Sequence, residues 1–500
     1  MDSSPQPPPT SPRDPSKLFH QKDSLRRSIV AVYWTVIVLS IPLWWTTTSI
    51  QRLSLPFNGV REQAYRTLEL PISICLDTTD STFRKEVADL LARKVAENSS
   101  RWAGTAPSVK SITECAGTND FYTIKNHNSS PYIDGRQLYF PLEEPNASSQ
   151  LVDALASLLV PYTTSADPDR RVAQYSSRYR LAFSLLNEDA TTGDGVMRWK
   201  VQEGLRAHIK PILKRLHALH NFTIESQVQF HAPLAFSPRQ IEEVYAISPE
   251  DLTVFINSAE WTLSSSSSND PVLHLVLFIP SSTRRPLHIL TKDESISPSN
   301  AFIRPQWGGI IIHTPTSLTS TNELPSKDLD IIFATFASQL LGLLGVPQLP
   351  STVQRAPSDL KASFSDWQLD ALLRRRTLEN AAGSQDTLLS IVKLVNQLEG
   401  MPVHEDVRDD VENALSFLTK MYDTSHSSLR QTFEFSARSF NLASRAFSNP
   451  GLLALLYFPT EHKYAVYTPL FATSGLPLFF AALREVKRWK ESRLAKHKKA

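Results

Sequence analysis

SRYRLAFSLLN (Ser177–Asn187), WKVQEGLRAHIKPILKRLHAL (Trp199–Leu219) and FTIESQVQF (Phe222–Phe230) follow one another in the chain with two different hydrophobic periods. The first and last alternate as strands, and the middle one repeats its apolar residues at helical spacing, so together they make strand, helix, strand, the unit of an α/β layer. The same rhythm stands upstream. LELPISICL (Leu68–Leu76) reads as a buried strand, TFRKEVADLLARKVAEN (Thr82–Asn98) as a helix with Val87, Leu90, Leu91 and Val95 on one side, and SVKSITEC (Ser108–Cys115) as the next strand. Downstream, LTVFIN (Leu252–Asn257), VLHLVLFIP (Val272–Pro280) and GGIIIHT (Gly308–Thr314) are expected strands, separated by turn-rich loops such as residues 264–268. From about residue 327 the pattern turns helical in four runs, 328–345, 367–398, 407–422 and 426–449. Their short connections predict an antiparallel helical layer. The expected fold class is therefore α/β: one mixed β-sheet flanked by helices with a helical C-terminal layer. Neither an internal repeat nor a sustained heptad is legible.

Two uncharged runs frame this body. SIVAVYWTVIVLSIPLWWTTTSI (residues 28–50) is 23 residues long, enough at ~1.5 Å per residue to cross a hydrocarbon core of about 30 Å. Trp44 and Trp45 stand where an aromatic belt would lie, and no Ala-x-Ala site follows, so an uncleaved anchor is expected rather than a signal peptide. YAVYTPLFATSGLPLFFAAL (residues 464–483) is the second transmembrane helix, stopped by REVKRWKESRLAKHKKA. A removable GPI-attachment tail would stay apolar to its end. Pro469, Gly475 and Pro477 suit a membrane helix better than a soluble one. Thr468, Ala472 and Gly475 line up small residues for a neighbouring helix.

Basic residues outside both runs place residues 1–27, a Pro- and Ser-rich disordered tail, and residues 484–500, a basic tail, in the cytosol. Residues 51–463 then form the domain on the other side of the membrane, in the endoplasmic reticulum lumen or outside the cell. The near-zero total hides this division: a net +2 overall resolves into +2 and +6 in the tails and −6 in the body. With 52 basic against 50 acidic residues, a chain-wide polyanion surface is excluded and no nucleic-acid partner is expected. Asn-x-Ser/Thr acceptors at Asn98, Asn128, Asn146 and Asn221 are possible N-glycosylation sites. The terminal KHKKA reads equally as a dilysine retrieval signal or as ordinary positive flank.

Chemistry is hard to find. Two cysteines exclude a disulfide scaffold and any four-Cys metal site, and Cys75 and Cys115 read as buried thiols or as one possible disulfide. No His-Glu-x-x-His, Gly-x-Ser-x-Gly or Gly-Lys-Ser/Thr occurs, and only 15 Gly in 500 residues disfavours phosphate-cradling loops. His217 and His220, at i, i+3 with His231 beyond, read as surface histidines. Asp167-Pro-Asp169 and Asp328-Leu-Asp330 keep one enzymatic alternative open, a membrane-anchored lumenal glycosyltransferase using Asp-x-Asp to hold a divalent cation. The second pair begins a helix, where acidic residues are favoured anyway. No catalytic, cofactor-binding or metal-ligating residue is assigned, and no cofactor is expected.

Six separated blocks nonetheless carry a family resemblance: residues 42–56, 179–189, 221–227, NAFIRPQWGGIII (300–312), WQLDALLRRRTLEN (367–380) and NPGLLALLYFPTEHKYAVYTPLF (449–471). In order, and with anchors at both ends, the chain resembles the PIG-S family of GPI transamidase subunits. The resemblance implies a non-catalytic, glycosylated structural subunit of that complex in the endoplasmic reticulum membrane, supporting attachment of GPI anchors to the C-terminus of precursor proteins. It implies a multi-pass chain with both termini cytosolic and a large lumenal domain, and a hetero-oligomer whose partners include a caspase-like cysteine-protease subunit.

Overall fold

The computed structural model describes residues 23–48, 52–115, 120–162, 173–191, 193, 195–256, 270–315, 322–358, 363–398, 401, 403–450, 452 and 460–497. The chain divides into two compact units, one made of Met1–Leu55, Lys393–Arg408 and Ser448–Ala500, the other of Pro56–Val392 and Asp409–Phe447.

In the first unit, α1 (Asp23–Thr48) contains a stretch, Ser24–Thr46, long and apolar enough to cross a membrane. The last helix, α13 (Thr460–His497), is one helix through what the sequence divides into span and tail; its segments Ala465–Thr473 and Gly475–Glu491 qualify as a crossing only when the pair, bent by 41°, is taken together. The bend falls between Pro469 and Pro477, each of which removes a ladder N–H. Arg26 and Arg27 pair with Glu485 at one end of the two helices, and at the other Trp44 meets Tyr467 and Phe471 edge-on at 5.9 and 5.6 Å. The helices therefore lie antiparallel.

The second unit holds three sheets, where the sequence predicts one. Sheet one contains β1 (Leu70–Asp77), β2 (Thr105–Ser111), β3 (Phe121–Asn126), β4 (Tyr132–Asp134), β5 (Gln137–Phe140) and the two-residue β14 (Gln354–Arg355), in the order β14-β4-β5-β3-β1-β2. Sheet two contains β6 (Arg178–Asn187), β7 (Asn221–Gln229), β10 (Val272–Ile279), β12 (Ala301–Arg304) and β13 (Gly308–Ile312), in the order β12-β13-β10-β6-β7. A small third sheet orders β11 (Leu287–Ile289), β9 (Val244–Ile247) and β8 (Arg239–Ile241). One predicted sheet becomes several because period-2 patterning reports which face a strand buries, not which strand it pairs with.

Without β14, the two large sheets share one topology. In each, the strands are parallel apart from an outer hairpin, β4 with β5 and β12 with β13. Each first strand leads through helix to the edge strand, by α3 (Ser81–Glu97) or by α6 (Val201–Gly204) and α7 (Lys210–Leu216). Each last strand is followed by a packed helix, α5 (Ala147–Leu159) or α9 (Ser326–Leu344). A repeat thus exists in the structure that the residues do not display. Their central strands β1 and β6 are buried on both faces, as parallel strands covered by helices must be.

Three local expectations change. Glu114 Oε2 accepts the Ser111 N–H at 3.0 Å, one half of a capping box, so the strand expected to reach Cys115 stops at Ser111 and a helical turn, α4 (Ile112–Cys115), follows. Leu252–Asn257, expected as a strand, is helical as α8 (Asp251–Ile256), with Asn257 outside the described residues. Ser248 Oγ accepts the Asp251 N–H at 3.2 Å and Pro249 follows it, which is helix-start chemistry that outweighs the β-branched composition. Between α6 and α7 the helix widens into a π turn, Leu205–Ile209, just before Pro211, which has no N–H to donate.

Cys75 and Cys115 are joined as a disulfide with Cα atoms 6.3 Å apart. Tying two points 40 residues apart is worth about 4 kcal/mol on loop-entropy grounds.

Candidate functional site

In a parallel sheet of this strand order, ligands bind outside the carboxyl ends where the order reverses, between β6 and β10 in sheet two. The protein fills that place itself. Glu188 is 4% exposed, accepts the Ser281 N–H at 2.9 Å and pairs with Arg284, while Asn187 bonds both polar groups of Val196.

The richest polar constellation lies elsewhere, on the helix α10 (Asp366–Gln397), at residues 367–380. Asp370 accepts two bonds from Arg136, at 2.8 and 3.1 Å, and one from the Tyr122 hydroxyl at 2.9 Å. Arg136 also reaches Asp120 at 2.7 Å, and Asp120 in turn accepts the Leu429 N–H at 3.1 Å, at the start of α12 (Leu429–Phe447). Arg374 donates to the Tyr122 hydroxyl at 2.8 Å and to the Leu159 carbonyl at 3.1 Å. Burial holds the Tyr122 phenol above its ordinary range. Burial works to lower the Arg136 pKa, but the charge and bonds of Asp370 and then Asp120 win and raise it.

Two residues further along a helix is about 200° around its axis. Arg376 accordingly points away from Arg374, donating to the Ala173 and Leu344 carbonyls at 2.9 and 3.4 Å and to Glu379 at 2.7 Å. Leu159 and Leu344 are the last residues of α5 and α9, the helices that close the two equivalent sheets. One helix therefore places a guanidinium at the C-terminal end of each, where cations are favoured and carbonyls lack intrahelical partners. Apolar residues repeat the division: Trp367 enters the core of sheet one, stacking on Tyr122 at 4.1 Å, while Leu372 and Leu373 enter the core of sheet two.

His220 is 2% exposed, correcting the surface reading, whereas His217 and His231 are exposed. Its Nδ1 lies 2.6 Å from the Ser176 carbonyl, to which it donates, and burial lowers its pKa to about 4. Burial, then Arg180, lowers His274 likewise to about 4. The unfolded chain takes up these protons near pH 6.5 and the folded one refuses them, so their stabilisation is complete above pH 6.5 and is lost as pH falls toward 4. We expect an acid limb in urea-unfolding stability across that window, shallower in His220→Phe by up to ~1.4 kcal/mol per pH unit. An unchanged limb would remove His220 from the account.

Asn98, Asn128, Asn146 and Asn221 are all exposed, Asn98 just past α3, Asn146 just before α5 and Asn221 opening the edge strand β7. Asp167 and Asp169 lie outside the described residues. Asp328 and Asp330 pair with different histidines, His313 at 3.3 Å and His208 at 2.6 Å. Among the described residues, no three His, Cys, Asp or Glu are grouped to hold a metal ion.

Reading the sequence missed the roles of Asp370, Arg374 and Arg376, although a signal was present. Three consecutive arginines within LDALLRRRTLEN cannot all face water from a helix whose neighbours are apolar, and Asp370 with Arg374 is an i, i+4 pair. Tyr122 and Arg136 carried no such signal.

A family model described as Phosphatidylinositol-glycan biosynthesis class S protein matches residues 31–110 and 143–492. The chain is similar to GPI-anchor transamidase component PIGS of Rattus norvegicus, 27% identical over 91% of this chain and 94% of that protein. The Homo sapiens protein of the same name is 28% identical, over 90% and 92%. The GPI transamidase component PIG-S homolog of Schizosaccharomyces pombe is 28% identical, over 94% and 86%.

Proposed function

This chain belongs to the PIG-S family, and from that premise we propose that it works as a structural subunit of the GPI transamidase complex, taking part in attachment of GPI anchors to the C-terminus of precursor proteins. The observation that carries the reading is the breadth of the match, which includes most of the first apolar helix, strands of both large sheets and all of α10. Other subunits are implied by the word component, and in this proposal one of them is a caspase-like cysteine protease that supplies the nucleophile. The pairing of Cys75 with Cys115, which leaves this chain no free thiol, fits a cysteine nucleophile that lies in another subunit. Its contribution is positioning: two sheet modules tied by one helix make a stiff surface on which partners are held in register, and register lowers a barrier without chemistry.

The proposed setting is the endoplasmic reticulum membrane, with residues 28–50 and 464–483 spanning it, residues 1–27 and 484–500 cytosolic, and residues 51–463 lumenal. The antiparallel packing of α1 and α13, with Arg26, Arg27 and Glu485 at a common end, supports it. Lumenal exposure also makes Asn98, Asn128, Asn146 and Asn221 available for glycans.

Purification of the tagged chain in mild detergent is expected to bring down other transamidase subunits, and its depletion to leave GPI-protein precursors unprocessed. A chain that runs alone, or precursors processed normally without it, overturns the reading. Asp328→Ala with Asp330→Ala should leave attachment intact.

A further inference from the structure

A cavity of about 400 Å³ opens beside the amino-terminal ends of β1 and β3, bounded by β2, α10 and the turn before α12. We propose that it is a binding site for a compact phosphate group. Its wall carries Lys110, Arg136 and Arg374, with His426, Ser427 and Ser428 on the turn. The two carboxylates there, Asp120 and Asp370, are already spent: both are held by Arg136, and their remaining lone pairs take the Leu429 N–H and the Tyr122 hydroxyl. Two carboxylates against one guanidinium leave a single negative charge.

Facing it are two cations that make no ion pair with either of these carboxylates, although Lys110 also acts on the exposed Glu114 just past the end of β2. Arg374, 5% exposed, donates only to a neutral phenol and a carbonyl, and its Nε is buried with no hydrogen-bond partner. Lys110, half-buried on β2, makes no hydrogen bond or ion pair among the described residues. The lining of the cavity therefore carries one positive charge in excess, partly withdrawn from water. An uncompensated charge in such a place is unfavourable, and an anion that accepts several hydrogen bonds relieves it. The first turn of α12 adds its dipole on the same side. Leu70, Pro71, Ile72 and Leu429 make up the apolar part of the wall, but an apolar group leaves the charge unanswered and a second cation is repelled. A phosphate monoester, with one to two charges and several acceptor oxygens, fits both the charge and the donors.

Titrating inorganic phosphate into the purified complex at constant ionic strength, with chloride as the control anion, is expected to raise the thermal midpoint saturably. Lys110→Gln and Ser427→Asp, neither in the Asp370 network, should keep the phosphate-free midpoint and weaken apparent phosphate affinity about tenfold or more. Vesicles of phosphatidylcholine with phosphatidic acid, against equal charge as phosphatidylserine, separate the two sources. A response to phosphatidic acid but not to free phosphate, lost in both variants, makes the ligand a lipid headgroup; the converse makes it soluble. No saturable response to either probe overturns the proposal, as does a response that both variants retain in full.

Discussion

Arg376→Ala is expected to lower the unfolding free energy by about 3–5 kcal/mol, the cost of breaking a buried charged hydrogen-bond cluster from one side. Arg376 is 3% exposed, and its removal leaves the Ala173 and Leu344 carbonyls without their donor and Glu379 without one of its two cations. Arg376→Lys should recover only part of the loss, because one ammonium cannot reproduce a planar fork that serves two carbonyls and a carboxylate. Arg374→Ala should cost a similar amount through the other module, since it strips Tyr122 and Leu159 of their shared donor. Arg375, on the helix between them, pairs with Glu379 at 39% side-chain exposure and lies over the Tyr162 ring at 4.3 Å. Its replacement by Ala should be the mildest of the three. Chemical denaturation of the purified chain gives the ranking, and co-purification with transamidase subunits shows whether assembly follows it. Equal, small effects at all three positions would mean that α10 does not tie the modules together.

Gly308→Ala should be worse tolerated than its neighbour Gly309→Ala, with a loss of at least about 3 kcal/mol. Gly308 pairs with His274 across β13 and β10, and a Cβ there would stand 1.9 Å from the His274 carbonyl oxygen. Its φ of +154 adds a conformation that L-residues rarely adopt. Relief requires the two strands to separate at the middle of sheet two. At Gly309 the obstacle is the Gln339 side-chain oxygen at 2.3 Å, which can rotate away, although Gln339 must then loosen its bonds to the Phe302 and Ile310 carbonyls. Thermal midpoints of the two variants, with soluble yield, test the order. If Gly308→Ala unfolds with the wild-type protein, the close approach of β13 to β10 is wrong.

Both predictions fall inside blocks that carry the family resemblance, and the run of arginines was itself a signal for Arg376, although nothing along the chain named its partners. The strands β1, β6, β7, β10 and β13 and the helices α3, α9, α10 and α12 were legible to within a few residues, because hydrophobic period follows from which side of an element is buried. β3, β4, β5, β8, β9, β11 and β12 were not, being short strands whose period is too brief to read, and α5 was missed although its apolar residues run its whole length. For Cys75 and Cys115 the residues alone allow two states, buried thiols or a disulfide. The Asp-x-Asp pair at 328–330 was legible as residues, but only their separate histidine partners show how the carboxylates are used.

The α/β class, the two uncharged runs, the opposite charges of tails and body, and the family are all readable from the residues in order. These are local or compositional properties, and each can be counted along the chain. That the body contains two large sheets of one topology, and that the arginines of one run divide between them, emerges only once distant segments have met. The pairs that do this join Tyr122 to Asp370 across 248 residues and Arg376 to Ala173 across 203. No period reaches so far. Such partners meet only when the sheets have paired and packed, because a buried guanidinium takes whichever carbonyls the fold has left without a donor.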